Sequence, residues 1–137
     1  MSLRSMLSLR DRDITVAAAA AYALVAKADG RLQPEEIAKV IDCLQKGADV
    51  LRLDAEAAKK LFMKNVDKLE SYRDYDAEKR KLMNEITKIK GNPTKMRFIV
   101  EACLDIAKAA DGYDQFEKRI IFDVCRVLGV DPQEHGF

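Results

Sequence analysis

The tripeptide Ala-Asp-Gly occurs twice, and each copy separates two stretches of helical periodicity. Ala28-Asp29-Gly30 closes the apolar run that includes Val25 and Ala26, and Ala110-Asp111-Gly112 closes the run that includes Ile106 and Ala107. Each is followed by a Glu near the start of the next helical pattern, Glu36 or Glu117. A duplicated helix–acidic loop–helix unit restricts the fold to arrangements containing two similar helix pairs. Between the pairs lie two further helical patterns, so the chain reads as all-α: a single compact bundle of about six to seven helices.

Apolar residues recur at helical spacing almost throughout, and β-branched residues never alternate with polar ones. The spacing predicts a first helix from about Asp13 to Ala28, ended by Gly30 as a left-handed cap. Its alanines leave room for close helix approach. Pro34 opens the second helix, with Ile37, Val40, Ile41 and Leu44 inward, and Gly47 to Leu53 reads as a loop. Asp54 caps a third helix carrying Leu61, Phe62, Val66 and Leu69. After a break at residues 71–74, a fourth helix turns Leu82, Ile86 and Ile89 inward until Gly91-Asn92-Pro93 stops it. The fifth helix buries Ile99, Cys103, Ile106, Ala107 and Ala110. Asp114 caps a sixth with Ile120, Ile121, Val124, Cys125 and Leu128 inward, and Asp131-Pro132 begins a short final turn. Residues 1–12 read as an N-terminal tail, the first three of them as an addition of no weight, and residues 13–137 as the domain.

With 137 residues, one domain can bury a substantial core. The net charge of +1 points neither to nucleic acid nor to acidic substrates. Residues 59–97 carry a basic excess, including Lys79-Arg80-Lys81, Lys88, Lys90, Lys95 and Arg97. This reads as a solvated helix face, with an anionic membrane or acidic partner as the lesser reading. The three cysteines, Cys43, Cys103 and Cys125, are widely spaced among apolar residues and read as buried thiols in a reducing compartment. No apolar run is long enough to span a bilayer, and no signal-peptide pattern stands at the start. Motifs of hydrolases, P-loop proteins and zinc proteases are absent, so no enzyme chemistry is expected. The one histidine, His135, reads as a surface residue.

The acidic loops carry what functional signal there is. Asp114 with Glu117 forms a capping box, and Glu35 and Glu36 suit the positive end of a helix dipole. Asp29 and Asp111 are less easily explained, because each ends a helix where free carbonyls disfavour negative charge. A cation would reverse that interaction, and carboxylate and carbonyl oxygens suit calcium or magnesium. The candidate ligands are Asp29, Glu35, Glu36, Asp111, Asp114 and Glu117, with a divalent cation and no organic cofactor. The loops are not EF-hands: counting from Asp29 or Asp111, the twelfth residue is Val40 or Phe122, not Glu.

The chain resembles the TerB tellurite-resistance family and the related N-terminal domain of the membrane-anchored co-chaperone DjlA. The likeness rests on Ala26-Lys27-Ala28-Asp29-Gly30 with Pro34-Glu35-Glu36, on Ala107-Lys108-Ala109-Ala110-Asp111-Gly112 with Asp114 and Glu117, and on the ending from Leu128 to Phe137. It extends from about Val16 to the C-terminus. The resemblance implies an all-helical, non-enzymatic cytoplasmic protein of tellurite and chemical-stress resistance, peripheral at a membrane in some complexes. It implies other stress-resistance proteins as partners and no nucleic acid, and leaves the oligomeric state open. It also implies metal binding by the acidic loops, here by Asp29, Glu36, Asp111 and Glu117. The Asp-to-Glu spacing differs by one residue between the loops, a departure from strict symmetry. A metal-free adaptor for a protein partner or membrane surface is the alternative.

Overall fold

The computed structural model describes residues 3–71, 74–109 and 114–135, with side chains from residue 12 onward. These form six α-helices: α1 (Leu3–Ala26), α2 (Pro34–Leu51), α3 (Ala55–Ser71), α4 (Tyr75–Ile86), α5 (Pro93–Lys108) and α6 (Gln115–Leu128). Two short 3-10 turns follow α4 and α6, Thr87–Ile89 and Pro132–His135. There is no strand among the described residues.

The alanine-rich stretch of α1 is the axis of the fold. Ala17 through Ala26 are all at most 1% exposed, so this segment is covered on every side. A helix without a polar face has to be wrapped by others. Small side chains let neighbours approach closely, and α1 touches each of the other five helices. Tyr22, Leu24 and Val25 fill the space between them. The two outer pairs pack on each other through contacts of α5 with both α1 and α2. The helix begins at Leu3 rather than near Asp13 and ends at Ala26, where Lys27 to Asp29 form a turn into Gly30.

Two local expectations are corrected. The segment from Gly47 to Leu53 is not a loop: α2 runs on to Leu51, and Arg52 supplies the left-handed cap at φ 60°. Gly47 serves packing rather than turning. A Cβ there would stand 3.1 Å from Leu53 Cδ1 and 3.4 Å from Phe98 Cε1, so the glycine lets α2 lie close to both. The buried face of α2 is also rotated from the expected one. Ile41 is 44% exposed, while Glu36, Val40, Cys43, Leu44 and Gly47 are buried. The remaining stops follow their chemistry. Asn92 caps α5 by accepting from the Lys95 N–H, with Pro93 behind it, and Gly129 ends α6 at φ 72°.

Candidate functional site

The first acidic loop is built on the end of α1. Gly30, at φ 84°, donates its N–H to the Lys27 carbonyl at 3.0 Å. Lys27, with a side chain only 10% exposed, folds back over the helix end and donates to the Gly30 carbonyl at 3.1 Å and to Glu70 Oε1 at 3.2 Å. The cation that a helix C-terminus favours is therefore supplied by the chain itself. Asp29 has a local role too, since its Oδ1 accepts the Arg31 N–H at 2.9 Å in a turn that Asp commonly makes. The electrostatic oddity that singled out Asp29 thus has a partly local answer. The second loop, Ala110 to Tyr113 with Asp111, lies outside the described residues.

The following helices start alike. At α6, Asp114 Oδ1 accepts the Glu117 N–H at 2.9 Å, and Glu117 Oε1 accepts the Asp114 N–H at 3.2 Å, completing the expected capping box. At α2, Glu36 Oε1 accepts the Gln33 N–H at 3.1 Å in the same way. Both glutamates sit three residues into their capped helix starts. Each therefore turns back toward its own loop and inward.

They turn toward each other. Glu36 is 2% exposed and Glu117 is 3% exposed, and the two carboxyls are close enough for direct hydrogen bonding when one is protonated. Burial, the largest influence, raises the Glu36 carboxyl to about 7 against the bonded Gln33 N–H; the charges of Asp29 and Asp114 raise it further. Glu117 is raised to about 7, first by burial and then by Asp114, Glu36 and Asp29. Among the described residues, the charged groups acting on either carboxyl are all carboxylates. Two buried acids from the two halves of the molecule thus act on each other, and the charges of Asp29 and Asp114 raise both.

The other expected ligand stands apart. Glu35 is exposed and lines a separate groove between α2 and α5 with Lys39, Asp42, Asp105 and Lys108. Among the described residues, no three side chains of His, Cys, Asp or Glu stand together as a metal site. The inner pair is Glu36 and Glu117, and both were readable as more than caps. Glu36 lies one turn before Val40 on the buried stripe of α2, and Glu117 one turn before Ile120 and Ile121 on that of α6. An acid that continues an apolar stripe is placed to be buried. Lys27 gave no comparable signal, because its partner Glu70 is remote in sequence.

Lys79 bonds Asp123 at 2.7 Å, and Arg126 bonds the same carboxylate. Lys81, Lys88 and Arg97 have carboxylates of Glu78, Glu85 and Glu101 at 3.6, 2.8 and 3.4 Å. This pairing accords with the solvated-face reading of the basic stretch. The three thiols are buried, and burial pushes Cys43 and Cys125 up to about 11, which keeps them unreactive. His135 is not the surface residue expected: its side chain is 5% exposed, with Nδ1 4.0 Å from Glu101 Oε1. It borders a cavity of about 550 Å³ beside Met96, Phe98 and Val130. No described helix is long and apolar enough to cross a membrane.

The family model of the tellurite resistance protein TerB matches residues 15–136, nearly the whole chain. The chain belongs to that family. No curated protein and no solved structure matches it.

Proposed function

We propose that this TerB-family protein is a non-enzymatic module of tellurite and chemical-stress resistance that binds a divalent cation between the starts of α2 and α6, the helices that follow its two acidic loops. One observation carries the reading: two glutamates, one from each helix pair, face each other in nearly complete burial, and among the described residues the charges that shift them are all carboxylates. Burying ionised carboxylates without a counter-charge is costly. A bound cation offsets that cost, and the all-oxygen donor set suits a hard ion rather than zinc or copper. Glu36 and Glu117 form the inner ligands. Asp29 and Asp114 supply outer carboxylates, Asp111 lies outside the described residues, and Glu35 is left to solvent. The ion ties the α1–α2 pair to the α5–α6 pair, so its arrival reports on, or stiffens, the junction between them. The setting is the cytoplasm, with other stress-resistance proteins, some at the inner face of a membrane, as partners.

The test is calorimetric titration of divalent cations into chelator-treated protein and into the Glu36→Gln/Glu117→Gln variant. Saturable binding by the wild type that disappears in the folded variant is the expected result. Absence of binding by the folded wild type would refute the reading. A metal-free adaptor draws support from Phe116, 55% exposed in the first turn of α6 beside the acidic pair, where a partner's apolar group would find it. Partner capture that resists chelator and is lost on Phe116→Ser would favour that alternative.

A further inference from the structure

We infer that the groove between α4 and α6 binds a small organic phosphate, its phosphate held by Arg80 and Arg126 and its apolar body resting on Met83 and Val127. The groove has a volume of about 500 Å³, within the range of small-molecule sites. Helical spacing builds it. Asp76, Lys79, Arg80 and Met83 share one face of α4 at positions i, i+3, i+4 and i+7, and Asp123, Arg126 and Val127 repeat the start of that spacing on α6. These α6 residues lie in the second half of the helix, beyond Glu117 at its start. The floor is apolar: Met83 is 8% exposed and Val127 is partly buried. A methionine there adapts its shape to a ligand more readily than a branched side chain.

The rim is cationic and partly fixed. Lys79, Arg80 and Arg126 stand against two carboxylates, Asp76 and Asp123. Asp123, with a side chain 14% exposed, commits both oxygens: Oδ2 accepts from Lys79 Nζ at 2.7 Å, and Oδ1 accepts from Arg126 Nη2. Arg126 is thereby held at the rim through Nη2, and its guanidinium carries further donors for a ligand. Arg80 pairs with no carboxylate among the described residues, although Asp76 stands one turn before it. Two guanidinium forks on facing helices suit an oxyanion. A carboxylate fills its two oxygens on a single fork, whereas a phosphate group has terminal oxygens enough to meet both. The apolar floor then selects a phosphate ester over the inorganic ion.

Phenyl phosphate is the probe, titrated into the isotope-labelled full chain while the backbone amide shifts are followed by NMR. Inorganic phosphate, benzyl alcohol and benzoate are titrated alongside. Phenyl phosphate is expected to shift the amides around Arg80 and Val127 saturably and to bind at least about tenfold more tightly than each of the other three. Arg80→Gln and Arg126→Gln should each weaken it about tenfold. Arg119→Gln, which removes the same charge from an exposed position of α6 outside the groove, should leave the affinity unchanged. Equal weakening by Arg119→Gln would reveal diffuse charge attraction and overturn the inference. Benzoate or inorganic phosphate binding as tightly as phenyl phosphate would overturn it too, the first by removing the need for phosphate and the second by removing the role of the floor. No saturable shift in the folded wild type removes the site itself. Arg80 is exposed and unpaired among the described residues, so Arg80→Gln reads the groove rather than the fold; an unchanged affinity in both Arg80→Gln and Arg126→Gln places the phosphate elsewhere and overturns the inference.

Discussion

Replacing Glu36 and Glu117 together by glutamine is expected to stabilise the metal-free protein above neutral pH. Each carboxyl titrates near its ordinary 4.5 in the unfolded chain and at about 7 in the folded one. The folded state therefore holds protons between these values that the unfolded state has released. Stability from this source is fully present below 4.5 and is lost as pH rises through about 7. Raising one buried acid this far corresponds to about 3 kcal/mol at alkaline pH, and coupling keeps the pair below twice that. Glutamine abolishes the titration yet preserves an acceptor for the Gln33 and Asp114 N–H groups. The variant should gain about 3 kcal/mol over wild type at pH near 8, roughly 10 °C in melting temperature, and little or nothing near pH 5. Urea unfolding with chelator present, repeated from about pH 5 to about pH 8, measures this directly. A wild type whose stability rises across that range, or a variant less stable than wild type at the upper end, would refute the account of the pair.

Two further outcomes test the framework around the site. Gly47→Ala should destabilise by about 1–2 kcal/mol although alanine is the better helix former, because its Cβ would press on Leu53 Cδ1 at 3.1 Å; urea unfolding reads this, and a stabilised variant would show that Leu53 and Phe98 yield. Lys27→Met, which keeps the packed stem but removes the donor to the Gly30 carbonyl and Glu70, should cost about 1–2 kcal/mol. It should also speed amide exchange at Gly30 and Arg31, and unchanged exchange would show that Lys27 does not hold the loop.

The sequence displayed the helices better than their orientation. Capping chemistry at Asp54, Asn92 and Asp114 and the stops at Gly30 and Gly129 act over three or four residues, so they are legible in the chain. Gly47 misled because a glycine is ambiguous between a turn and a close approach, and only Leu53 and Phe98 on its far side decide. Ile41 misled because α2 packs on α3 and α5 through a face that begins with an acid; a reading that counts only apolar residues turns the helix away from Glu36. At the site, the local halves were visible as a capping box and an acidic first turn. Their meeting was not, since it depends on α2 and α6 presenting their starts to one another across positions 81 residues apart, Glu36 and Glu117.

That meeting alters what a capping residue does. A capping glutamate at an exposed helix start can keep its charge at little cost, because water solvates the oxygen that the N–H leaves free. Here two such starts face each other, and both glutamates are buried together. The helix-start bonds lower both carboxyls, and burial outweighs them, so the net effect is a raised pair. The same hydrogen bonds that secure the helices therefore fix two oxygens, in depth and direction, without neutralising either. A proton, shared near neutral pH, or a cation can supply the missing charge, and the two compete. Cation affinity should accordingly rise with pH up to about 7 and level off above, with proton release on binding that shrinks over the same interval. Calorimetry in buffers of different ionisation enthalpy measures that release, and an affinity independent of pH from about 5 to about 8 would show that the ion does not meet these two carboxylates.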